Sequence, residues 1–74
     1  MARENKFTQA YTIMAENAKL LKAGIYTIEE CQHMMNREIR SFIISHPSDL
    51  DTRISYERKL HRKAMNLMLE AIKD

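Results

Sequence analysis

The chain is short of residues that break or bend a backbone. Its 74 residues include one glycine, one proline, one cysteine and no tryptophan. Average usage would give about five glycines and about four prolines in this length. Little is therefore available for hairpin turns, a glycine-rich phosphate loop or a flexible linker, which excludes a Rossmann unit, a P-loop and a β-sandwich. A lone cysteine allows no internal disulfide, which fits a reducing cytoplasm. No apolar run reaches membrane-spanning length and no charged-then-apolar leader opens the sequence, so neither a membrane span nor a secretory signal is expected. Strong net charge is also missing: the total is +2, and with 45% apolar residues the composition is not that of a disordered chain. A single small domain over residues 1–74 is expected. A chain this short buries only roughly 60% of its unfolded surface, so a partner is a fair expectation.

The two breakers, Gly24 and Pro47, divide the chain into three stretches of helical periodicity. In the first, Phe7, Tyr11, Met14, Ala18 and Leu21 fall in one stripe widened by Ala10 and Leu20, which predicts an amphipathic helix over about 4–22. Gly24 suits the left-handed residue that ends such a helix, with Ile25 placed to pack back on Leu20. Lys19 and Lys22 then stand beside the negative end of the helix dipole.

Thr27-Ile28-Glu29-Glu30 has the form of a capping box, with Tyr26 and Cys31 where a hydrophobic staple would close. A second helix is predicted over about 28–45, with Ile28, Cys31, Met35, Ile39 and Phe42 on its buried face and Met34 and Ile43 beside it. It must stop before Pro47, with His46 closing its end. Ser48 or Asp49 can cap a third helix over about 49–73, with Asp51 in the first turn. The short first turn makes helices one and two neighbours. The expected fold is all-α: a compact three-helix domain, a helical hairpin plus a longer C-terminal helix, dimeric.

The third helix has two unlike halves. Between residues 53 and 63 stand Arg53, Arg58, Lys59, Arg62 and Lys63 against the single acid Glu57. Between 64 and 72 nearly every position is apolar: Ala64, Met65, Leu67, Met68, Leu69, Ala71 and Ile72. That is too much apolar surface for a helix buried on one face, so cover from a second copy is expected. Flexible methionines suit irregular cores and adaptable contact surfaces alike.

The basic band places Arg58 and Arg62 on one face, with Lys59 and Lys63 on the adjacent one. Its ordinary reading is a solvated helix face. An acidic protein surface is the first functional alternative. Phosphate binding is the next, and the small total charge does not favour it further.

A helix-turn-helix fits poorly. With Gly24 as its turn glycine, the position four before it should be small but holds Leu20, and the position six after should be apolar but holds Glu30. A later register beginning its reading helix at Arg37-Glu38-Ile39-Arg40-Ser41 lacks a turn glycine. Leu20, Leu21, Gly24, Ile25, Thr27, Glu29 and Glu30 together resemble the opening of SHOCT domains, short helical-hairpin modules, with Tyr26 an extra residue in the turn. The resemblance implies an interaction or oligomerisation role, and helix punctuation by itself produces most of the same pattern.

Catalytic and metal readings are weak. Cys31 and His33 are two apart on a helix and face different ways, and no paired cysteine or histidine motif exists. Glu57 and His61 can share a proton, but such a pair is more often a surface contact than a dyad. No enzyme activity, metal, cofactor or small-molecule substrate is expected. The expected function is a small non-catalytic interaction module, a regulator, adaptor or inhibitor of the kind that phages and mobile elements encode. It would bind a protein partner through Met65, Met68, Leu69 and Ile72, rimmed by Arg58, Lys59, Arg62 and Lys63. The alternative is a nucleic-acid-binding accessory protein that contacts phosphates through the same band, with Arg37 and Arg40.

Overall fold

The structure is a computed structural model that describes residues 6–73. Three helices account for nearly all of it: α1 (Thr8–Lys22), α2 (Ile28–Ser45) and α3 (Leu50–Ile72), each packed on the other two. No strand occurs among the described residues.

Helix punctuation follows the sequence closely. Gly24 takes φ +78° and adopts the left-handed position after α1. The Ile25 amide donates to the Leu20 carbonyl (3.0 Å) and the Gly24 amide to Leu21 (3.0 Å), the two bonds of a Schellman motif. A Cβ at Gly24 would meet nothing, so the backbone angle alone calls for glycine there. Ile25 itself remains 65% exposed, and the motif is held by hydrogen bonds more than by apolar contact. The capping box closes both ways: Glu30 N–H donates to Thr27 Oγ1 (3.1 Å) and Thr27 N–H to Glu30 Oε1 (2.9 Å).

At the far end of α2, the His46 amide donates to the Phe42 carbonyl. His46 Nδ1 lies 3.0 Å from the same oxygen. Asp49, not Ser48, caps α3, accepting from Thr52 N–H at 2.8 Å. The helical start expected near residue 4 lies outside the described residues. Lys6 and Phe7 form a turn, and α1 begins at Thr8 with no side-chain cap.

The core consists of Phe7, Ala10, Met14, Ala18 and Leu21 from α1 and its leading turn, Cys31, Met35, Ile39 and Phe42 from α2, and Leu60 and Ala64 from α3. Two details depart from the periodicity. Ile28, expected on the buried face of α2, is 53% exposed because it begins the helix, where no neighbouring turn covers it. Asn17 is a polar side chain buried within the α1 stripe, three residues after Met14 and four before Leu21. Its carbonyl oxygen accepts from the Cys31 thiol at 3.6 Å, which ties α1 to α2.

Ring contacts fix the direction of the helices. Phe7 stacks on Phe42 (4.9 Å between centroids), and Tyr56 meets both edge-on at 5.5 Å. The start of α1, the end of α2 and the start of α3 therefore share one end of the domain. At the other end, Ala15, Ala18 and Lys22 line a groove with Leu67 and Ala71. The order is up, down, up, with α1 and α3 parallel and α2 antiparallel to both. The aromatic end also holds Tyr11 on Phe7 (5.8 Å) and His46 on Phe42 (4.1 Å).

Candidate functional site

The basic band of α3 lies beside α1. Arg58, Lys59, Arg62 and Lys63 line an open groove of about 420 Å³, whose remaining walls are Tyr11, Ser55 and Asn66. The α1 wall does more than bound it. Lys59 Nζ sits 4.8 Å from the centre of the Phe7 ring and Lys63 Nζ 5.2 Å from that of Tyr11. The negative faces of the rings attract both ammonium groups, so the aromatic core positions one side of the cationic groove. A third such contact, Lys6 over Tyr56 at 5.0 Å, accompanies a hydrogen bond from Lys6 Nζ to the Tyr56 hydroxyl at 2.8 Å. Spacing along the chain gave no sign of this, because rings at positions 7 and 11 meet lysines at 59 and 63 only through the parallel packing of α1 and α3.

Among the described residues no carboxylate lines the groove, and the ion pair found is Arg53 Nε to Glu57 Oε1 at 3.2 Å, on the face of α3 turned toward α2 and not on the groove. Glu57 is thus engaged by Arg53. It and His61 line a second groove with Arg40, Ile43 and Ile44 of α2.

The apolar half of α3 divides. Ala64 is buried, and Leu67, Met68 and Ala71 pack against the core. Met65, Leu69 and Ile72 remain 59%, 54% and 51% exposed. Of the four residues expected to anchor a partner, Met68 is half-buried in the domain's own packing and the other three face solvent. Spacings of four and three connect Arg58, Arg62, Met65, Leu69 and Ile72 into one outward stripe, cationic first and apolar after. Exposed apolar residues are not confined to α3. Ile25 and Ile28 stand at the turn beside its C-terminal end, and Ile44, Leu50 and Ile54 at the opposite end.

The reactive groups lie elsewhere. Cys31 is fully buried, and that burial pushes its thiol above its ordinary pKa, which suits a core residue and not a nucleophile. Partial burial between α1 and α2 raises the Glu38 carboxyl. Asp49 is held low by the Thr52 hydroxyl and then by the Thr52 amide, as a helix cap. Among the described residues no three His, Cys, Asp or Glu side chains come together as a metal site would require, and no helix is long and apolar enough to cross a membrane. Compared with known proteins, the chain matches no family model, no curated protein and no solved structure.

Proposed function

We propose that the chain is a non-catalytic protein-interaction module, a small regulator, adaptor or inhibitor, that binds its partner through the outer face of α3. The observation that carries this reading is the stripe in which three exposed apolar side chains, Met65, Leu69 and Ile72, continue directly from the cations of the groove. Apolar anchors flanked by charge are the usual anatomy of a protein interface: the anchors supply affinity, and the charges set encounter rate and partner choice. Pairing of two copies would draw on the same apolar residues.

A specific observation also favours a second reading, phosphate binding, because among the described residues the groove is lined by four cations and no carboxylate. The two readings separate in one experiment. The wild-type protein, Leu69→Asp and the Arg58, Lys59, Arg62, Lys63 charge-reversal variant are immobilised and challenged with nuclease-treated host extract, then with random duplex DNA across a salt series. A protein retained by the wild type and lost from both variants supports the interaction module. Binding of DNA that is indifferent to Leu69→Asp, lost on charge reversal and falling with a slope of about −0.9 per phosphate engaged would replace it with the phosphate reading.

A further inference from the structure

Resting on the protein-interaction reading, we infer that the occupant of this face is an acidic amphipathic helix of another protein, with carboxylates entering the groove between α1 and α3 and apolar residues covering Met65, Leu69 and Ile72. The cations form two pairs four residues apart, Arg58 with Arg62 and Lys59 with Lys63, so each pair is separated by a rise of about 6 Å. Carboxylates four apart on a second helix have the same rise. Two successive acids therefore meet two successive cations without either helix bending. The lysines are already located by the rings beneath them. The arginines, on the outer side, bring planar donors that grip a carboxylate through two hydrogen bonds.

The rest of the stripe narrows the choice. From Arg58 to Ile72 it runs about 21 Å, roughly four turns, and changes from cationic to apolar on the way. Its occupant must change in step and with the opposite charge, from acidic to apolar. A nucleic acid carries uniform charge and leaves the apolar half uncovered. A small anion fills the groove alone. A second copy of this chain laid parallel along the stripe brings its cations against the four in the groove, and one laid antiparallel sets cations against the apolar half, so neither orientation complements the whole stripe. The described residues offer an extended peptide no strand edge to pair with, whereas a helix satisfies its own backbone.

The test uses a labelled synthetic peptide of about 18 residues. Glu residues four apart occupy the first half of one face and Leu residues the second half of that face. An isomer of identical composition scatters the same residues around the helix. Fluorescence anisotropy at physiological salt is expected to give about tenfold tighter binding of the patterned peptide than of the isomer, with about a tenfold loss for both Arg62→Glu and Leu69→Asp. Circular dichroism of each variant should match the wild type, since both positions face solvent. Equal binding of the two peptides overturns the inference, as does tighter binding of random duplex DNA at the same salt. Sedimentation that shows a wild-type dimer split by Leu69→Asp, with no peptide binding by the dimer, assigns the face to a second copy and also overturns it. If host extract yields a protein lost on Leu69→Asp while patterned peptide and isomer bind alike, the acidic helix is wrong and the interaction module stands.

Discussion

At one end of the domain each helix contributes a ring, and Phe7, Phe42 and Tyr56 interlock with Tyr11 and His46 around them. At the other end the helices meet through Ala18, Leu21, Cys31 and Ala64, while Ile25, Ile28, Leu69 and Ile72 point outward. Both ends have apolar side chains in quantity. They differ in direction: the rings lie on the inner faces of their helices, whereas the bulk at the C-terminal end of α3 lies on its outer face. Hydrophobic content alone therefore does not locate a core, and both ends keep apolar side chains in solvent: Ile44 and Leu50 beside the rings, and Leu69 and Ile72 at the end without them, where they continue the cationic stripe of α3.

The largest expected effect breaks the aromatic end. Phe42→Ala removes the ring that touches Phe7, Tyr56 and His46, and should cost about 3–5 kcal/mol. A domain of this length has roughly 4–11 kcal/mol in total. The urea midpoint of the variant should fall by roughly a third or more of its wild-type value, and an unchanged midpoint would show that the rings do not hold this end. At the other end disturbing the backbone turn costs less. Gly24→Ala forces a side chain into positive φ and should lose about 1 kcal/mol, and Thr27→Ala about the same through the lost cap. Leu69→Asp at that end should cost about 1 kcal/mol, from lost partial burial and a negative charge in the last turn of α3, while weakening partner binding about tenfold, a contrast with Phe42→Ala that parallel urea and binding measurements expose directly.

The smallest effect is a matter of pH. Asp49 caps α3 at the aromatic end with a folded pKa below its ordinary value of 3.8, so the stability it lends is present above that value and is lost as pH falls through the lowered folded pKa. Asp49→Asn keeps a capping oxygen that does not titrate. The urea midpoint of the wild type should therefore drop relative to this variant between about pH 5 and pH 2; parallel curves would rule the linkage out.

Sequence made α2 legible to the residue, because a reciprocal cap and a proline are local signals that no distant contact had to supply. The same held for Gly24 and, within a residue, for α3. The start of α1 was less legible, since Phe7 offers no capping oxygen and is fixed instead by rings far away in the chain. Burial was read well from periodicity in the middle of helices and poorly at their ends, as Ile28 shows, because a period says which face turns inward and not whether anything lies over it. For the groove, the four cations were visible as a run along α3, but its other wall was not. Tyr11 and the rings beneath the two lysines arrive from α1, and their approach depends on α1 and α3 running parallel.

The thiol of Cys31 is the only one in the chain, fully enclosed and bonded to the Asn17 carbonyl across the boundary between α1 and α2. A thiol-specific dye can reach it only when those two helices part. Its labelling rate in native buffer is thus a clock for that one opening, readable in the unaltered protein and, on addition of a partner peptide, a direct report of whether docking on α3 slows a motion on the opposite side of the core.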